Sequence, residues 1–288
     1  MKEKRGNQIL VASGKYFLLV IFLLLSRLSD LAAQTMAREP DSNLIKRNHI
    51  RSMGMYEYCY SDKHPSMKRQ YLKRFDKMGR PLQKFEFAPG REAYRTEFRY
   101  DNSGSLESSL TYDPYDGGSS VTRYNYNEQG QNTERKHFDL YGRLEYRNLI
   151  KYDENGKAKE SGTYGLSDKF SSKDEYIYDS SGKLSEARLY YTDGKIACKV
   201  KYLYDEEGRN NVIIRYDGGD SVPNCKYAYK FDRKGNVSEE AMLSMSGELR
   251  EKNVYKYDKR GDLTDQVYYA SANAPLYRYK FKYRFYRN

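Results

Sequence analysis

The residues able to do chemistry are few and scattered. Three histidines, His49, His64 and His137, stand in unrelated contexts without metal-ligand spacing. The adjacent acids Glu239 and Glu240, and Asp174 and Glu175, resemble acid/base pairs, but neighbours on a strand point to opposite faces and cannot share one substrate. Asp113 with Asp116, and Asp217 with Asp220, could hold calcium among carbonyls, yet turn formation accounts for them and no calcium-loop motif accompanies them. Three cysteines, Cys59, Cys198 and Cys225, carry no nucleophile signature, and no phosphate loop is present. The expectation is a protein that is not an enzyme, with no catalytic residues, no cofactor and no metal.

The densest grouping is the closing stretch YRYKFKYRFYRN. On a strand, Tyr277, Tyr279, Phe281, Tyr283 and Phe285 share one face, and Arg278, Lys280, Lys282 and Arg284 share the other, with Arg287 beyond. Tyr277, Tyr279, Arg278, Lys280, Lys282, Arg284 and Arg287 are therefore the candidate partner-binding residues, suited to an anionic or glycan component. The competing explanation is that basic side chains on an edge strand deter strand addition.

Such residues need elements to position them, and the composition says which. Of 288 residues 32 are Tyr, 11 are Phe and none is Trp, with 38% apolar and 32% charged residues, so any core is thin and rich in hydroxyls. Lys2, Lys4, Arg5 and Lys15 precede the apolar run Tyr16 to Leu25, which is too short to span a bilayer, and Leu31-Ala32-Ala33 offers a cleavage site. The reading is a signal peptide over 1–33, a leader over 34–43, and one domain over 44–288. Residues 1–33 hold five basic and two acidic residues, so the overall +11 falls to +8 after processing. Export to the periplasm, cell surface or medium follows, and it removes nucleic acid as a partner.

One signature recurs through the domain: an aromatic, Asp or Asn, two variable residues, then Gly. It begins at Phe75, Tyr100, Tyr126, Tyr152, Tyr178, Tyr204, Phe231 and Tyr257, at steps of 25 to 27 residues. Asp accepts backbone N–H bonds at the start of a type I turn and Gly takes the left-handed position that closes it. Half a period of thirteen residues holds such a turn and a strand of about nine. Ile196, Cys198, Val200, Tyr202 and Tyr204 alternate with Ala197, Lys199, Lys201 and Leu203, a period of two. An opening hairpin is expected from Arg51 to Tyr60 and Met67 to Phe75. Cys198 and Cys225 fall on equivalent positions two strands apart, about 9.6 Å, beyond the reach of a disulfide, and are expected as free buried thiols. The fold expected is all-β: an antiparallel meander of about eighteen strands, open and twisted or partly curled.

The stretches RYNYNEQG, YIYDSSGKL, YLYDEEGR and VYKYDKRGDL resemble the Tyr-Asp (YD, or RHS-like) repeats of exported bacterial proteins, from about Tyr71 to the C-terminus. That resemblance implies an extended antiparallel sheet, which in the largest members curls into a shell around a toxic domain. The longer period here and the smaller size keep the toxin role from carrying over. The aromatic columns are read as cross-strand packing first, and as a surface for sugar rings or a protein partner second. An outer-membrane barrel is set aside because Gln131 to Phe138 and Lys157 to Thr163 offer lipid no apolar face, so the processed chain is expected not to span a membrane. The function expected is a non-enzymatic scaffold or recognition protein at the bacterial envelope, binding protein or glycan. The alternatives are a glycan-active enzyme or accessory factor using surface acids, or an immunity-type repeat protein.

Overall fold

The structure is a computed structural model that describes residues 42–61, 67–87, 93–219, 221–270 and 274–287. The expected signal peptide and most of the leader lie outside them. The described residues belong to one compact unit, 37–288. A short helix, α1 (Ser42–Arg47), comes first. It is followed by β1 (Ile50–Cys59), β2 (Lys68–Phe75), β3 (Pro81–Glu86), β4 (Tyr94–Tyr100), β5 (Leu106–Asp113) and β6 (Gly118–Tyr126). Then come β7 (Asn132–Phe138), β8 (Leu144–Tyr152), β9 (Ala158–Tyr164), β10 (Phe170–Tyr178), β11 (Leu184–Tyr190) and β12 (Ile196–Tyr204). The last are β13 (Asn210–Asp217), β14 (Cys225–Phe231), β15 (Val237–Leu243), β16 (Leu249–Tyr257), β17 (Leu263–Tyr269) and β18 (Pro275–Phe285).

The repeated signature builds the turns as its chemistry requires. In the β8–β9 turn, Asp153 Oδ1 accepts the N–H groups of Asn155 (2.9 Å) and Lys157 (2.8 Å), and Gly156 N–H donates to Asp153 O at 3.0 Å. Gly156 sits at φ +76°, where a side chain would be strained. The same bonds recur around Asp76 and Asp232. These turns lie at one end of the sheet, the Asp-Gly end.

Each strand pairs antiparallel with the next, and the first pairs with the last. β1 lies between β2 and β18, in register with β18 from Ile50 opposite Phe285 to Cys59 opposite Tyr277. The sheet is therefore a closed barrel of eighteen strands, which corrects the expectation of an open or partly curled sheet. The strand count and the opening hairpin are as the repeats indicated. Accumulated twist brings the ends of a long meander together, and pairing them satisfies a row of backbone groups that an open sheet leaves exposed.

Closure corrects two further expectations. β18 pairs on both sides, so its basic residues do not guard an edge. The exclusion of a membrane-spanning barrel also falls, since an even-numbered antiparallel sheet with no unpaired edge is the architecture with which β-proteins cross a bilayer. Two polar strands were too narrow a basis for that exclusion.

Burial identifies the inward face. On β12, Cys198, Val200 and Tyr202 are buried while Lys201 and Leu203 are exposed. Cross-strand pairs carry this face round the wall: Tyr202 opposite Ile213, Tyr229 opposite Glu240, Tyr255 opposite Gln266, and Phe281 opposite Met55. The outward face bears ion pairs between or along strands, such as Lys151–Glu160 (2.8 Å), Lys230–Glu239 (2.8 Å) and Arg188–Glu186 (2.6 Å). Exposed pairs of this kind contribute at most about 1 kcal/mol each. A round wall of eighteen strands spaced at about 4.8 Å has a radius of about 14 Å, and strand tilt widens it.

The seam has its own fastening. Helix α1 lies at the Asp-Gly end, with Ile45 buried, and Ile50 and Met53 buried below it on β1. Asn48 donates its amide to Asp262 Oδ1 at 2.7 Å, in the β16–β17 turn. On the other side, a Cβ on Gly79 in the β2–β3 turn would stand 2.2 Å from Ser42 O. Tyr286 N–H donates to His49 O at 2.8 Å, and the Tyr286 hydroxyl donates to Phe75 O. The helix and Asn48 just after it thus touch the first and last of these turns across the closure.

Candidate binding site on the inner wall

On the inward face two positions, aromatic in most repeats, recur at the end of the even strands. The outer one is the Tyr or Phe of the turn signature. Its hydroxyl donates to a carbonyl at the start of the preceding strand: Tyr126 to Leu106 O, Tyr152 to Asn132 O, Tyr178 to Ala158 O, Tyr204 to Leu184 O and Tyr257 to Val237 O, at 2.7 to 2.9 Å. In four units the basic residue closing the turn lies against the next ring. Arg80 lies 4.6 Å from the Tyr100 ring centre, Lys157 5.2 Å from Tyr178, Lys183 5.1 Å from Tyr204 and Arg209 4.5 Å from Phe231. These contacts tie each hairpin to its neighbour.

The inner position carries Phe98, Tyr124, Ile150, Tyr176, Tyr202, Tyr229, Tyr255 and Phe281. Directly opposite on the following strands stand Ser109, Arg135, Ser161, Ala187, Ile213, Glu240 and Gln266, with Met55 closing the circle. An almost constant aromatic thus faces a partner that varies freely. The variable set forms a row on the inward face, in which Ser109, Ala187, Ile213 and Glu240 are buried.

Glu240 is the most distinctive member of that row. It is 7% exposed, and its carboxyl accepts hydrogen bonds from Tyr255 (2.8 Å), Asn253 (3.3 Å) and Tyr229 (3.4 Å). Burial pushes its pKa above the usual carboxyl range, and those three donors hold the rise down. Tyr229 and Tyr255 are raised far above the phenol range, by burial first and then by the Glu240 charge. Asn253 Oδ1 in turn accepts from Gln266 at 2.9 Å, and Glu251 accepts from Tyr268 at 2.7 Å, which pushes Tyr268 up to about 12. The arrangement is a wall of phenols, amides and carboxyls, suited to hydroxyl-rich ligands. The sequence marks Glu240 only once the repeats are aligned, as the one acid in a series of Ser, Arg, Ala, Ile and Gln.

The terminal-strand candidates do not form one site. Tyr277 and Tyr279 face inward, Tyr277 stacking on Tyr268 and on Tyr279 with ring centres 6.3 Å apart in each case. Arg278, Lys280, Lys282 and Arg284 face outward. Arg278 is paired with Asp265 at 2.7 Å and Lys282 lies 4.8 Å from the Tyr56 ring centre. Arg287 is exposed beyond β18.

The other candidates are likewise separated. Cys198, opposite Asp217, and Cys225, opposite Arg215, are free and buried on the two strands flanking β13, as expected, and burial raises both thiols; Cys59 is free and half-buried. His137 stacks on Tyr146 at 4.8 Å and shares a hydrogen bond with Thr122, while His49 sits at φ +53° between α1 and β1. Glu239 faces outward and Glu240 inward, as do Glu175 and Asp174. Asp113 accepts Tyr115 N–H at 2.8 Å inside its turn. His64 and Asp220 lie outside the described residues. Among the described residues no group of three or more His, Cys, Asp or Glu is placed to hold a metal.

No known family profile matches the chain, and no curated protein matches it. Among solved structures it is similar to a porin-like protein from Bacteroides uniformis, at 13% identity over 82% of this chain and 98% of that one, with a TM-score of 0.45. A porin-like protein from Bacteroides vulgatus gives 14% identity, 80% and 97% coverage, and 0.37. The crystal structure of TcdB2-TccC3-Cdc42 gives 13% identity and a TM-score of 0.37, over 78% of this chain but 14% of that chain's length.

Proposed function

We propose that this chain is an exported, non-enzymatic recognition barrel of the bacterial cell envelope that takes a glycan against its inner wall, a small closed form of the Tyr-Asp repeat architecture. The observation that carries the reading is closure, which turns a continuous tyrosine, amide and carboxyl surface inward. Aromatic rings offer flat apolar faces for sugar rings, while Asn253, Gln266, Glu251 and the phenols offer hydrogen bonds to hydroxyls. Glu240 and Glu251 are each occupied by tyrosine hydroxyls, which suits a binding wall better than an acid/base pair. The test is equilibrium binding of the exported protein to solubilised envelope glycans, together with analysis of the glycan afterwards. Saturable binding with the glycan intact is the expected result. Absence of binding, or shortened chains in the mixture, overturns the reading.

A further inference from the structure

One repeat departs from the others twice, and a groove opens where it does. From β4 to β18 the inner aromatic position holds Phe or Tyr on every even strand except β8, where it is Ile150. The residue closing the β6–β7 turn is Gln131, where the Arg80, Lys157, Lys183 and Arg209 units place a cation over the next ring. Gln131 donates its amide N–H to Gly156 O at 2.8 Å, as Lys157 Nζ does to Gly182 O, but it brings no charge to the Tyr152 ring. Ser105 and Asn236 also lack charge at this position, but there Tyr124 and Tyr255 keep the bulk that Ile150 gives up.

The result is a groove of about 640 Å³ between the β6–β7 and β8–β9 turns, with Ile150, Tyr152 and Thr133 among its lining residues. Its size lies within the usual range of small-ligand sites, about 300 to 1000 Å³. Polar groups surround that lining: the amides of Asn127, Gln129 and Asn155 and the carboxyls of Asp153 and Glu154. Gln129, Glu154 and Asn155 are exposed to solvent. No lysine or arginine lines the groove, although the whole chain is strongly basic.

We infer that this groove is a subsite for a saccharide without acidic groups, stacked on Tyr152 and hydrogen-bonded by the surrounding amides and carboxyls. An uncovered ring beside several amides matches a sugar's apolar face and its hydroxyl rim. The two carboxyls disfavour uronic or phosphorylated sugars by like-charge repulsion. The inference deepens the glycan-binding reading of the barrel and rests on it.

Two substitutions restore what neighbouring repeats already carry. Gln131→Lys covers Tyr152 as Lys157 covers Tyr178, and Ile150→Tyr refills the space. Titrations of the exported protein with chitotriose, maltotriose and trigalacturonate, followed by ligand-observed NMR, read the site; melting curves confirm that the variants fold. A neutral trimer binds the parent, each variant weakens it at least tenfold, and trigalacturonate does not compete. Neutral-trimer affinity unchanged in both folded variants, preference for trigalacturonate, or no binding of any trimer overturns the subsite. If polymeric envelope glycan still binds the parent in those cases, the barrel reading stands and the groove assignment alone fails.

Discussion

Removing single hydroxyls from the tyrosine ladder tests whether these bonds hold the hairpins together. Tyr204→Phe deletes the donor to Leu184 O (2.7 Å) and keeps the ring under Lys183. A neutral hydrogen bond of this kind contributes about 0.5 to 1.5 kcal/mol net, and the orphaned carbonyl is only partly buried, so about 1 kcal/mol is expected. Unfolding entropy of about 2.1 cal/mol/K per residue gives about 0.5 kcal/mol/K for a domain of roughly 250 residues, hence a fall in Tm of about 2 °C. Replacing Tyr152, Tyr178, Tyr204 and Tyr257 together removes four such bonds, about 4 kcal/mol and about 8 °C if the sites act independently. Phe231 already lacks the hydroxyl at the equivalent position, so Phe231→Tyr is expected to raise Tm by up to about 2 °C. Differential scanning calorimetry at matched pH reads all three. A fourfold variant melting within 1 °C of the parent, measured to that precision, would refute the idea that the ladder supports the wall.

Other perturbations probe separate parts of the barrel. Because burial raises the Glu240 carboxyl, its stabilising protonated form is complete below the ordinary carboxyl range and is lost as pH rises through the raised folded value. Glu240→Gln should therefore gain on the parent in Tm as pH climbs from 3 to 8; a gap that stays flat would contradict this. Gly79→Ala meets both φ +80° and Ser42 O, whereas Gly142→Ala meets only φ +76° with open space around it. The first should cost at least about 2 kcal/mol more than the second by chemical denaturation. Cys59 should react with a thiol reagent well before Cys198 and Cys225, whose burial disfavours the thiolate; simultaneous labelling of all three would show the wall to be loose.

The turns, the strand count and the inward aromatic columns were legible because each is a local event repeated many times. Asp153 and Gly156 make their turn with bonds spanning four residues, and the same bonds serve every copy. Closure was not legible. It depends on Ile50 meeting Phe285, more than two hundred residues away, and a translational repeat carries no mark of where it stops. The mark lies in the exceptions: Asp262 stands where other units have Arg, Ser, Gln, Lys or Asn, and it is this buried acid that takes the Asn48 amide. The candidate site was missed for a similar reason. The Tyr-Asp pair draws the eye, while Glu240, Ile150 and Gln131 are visible only as departures at positions beside it. The all-basic face of β18 was legible as chemistry, but its neighbours Asp265 and Tyr56 come from other strands, and they engage Arg278 and Lys282.

The fastening at the seam is indifferent to how many staves the cask has. Helix α1 grips the first and last turns of the Asp-Gly end, and nothing in that grip involves the units between. Duplicating or deleting one 26-residue unit adds or removes two strands, preserving antiparallel order, and changes the circumference by about 9.6 Å and the diameter by about 3 Å. A lineage built on this plan can regauge its bore in fixed steps while keeping one lock.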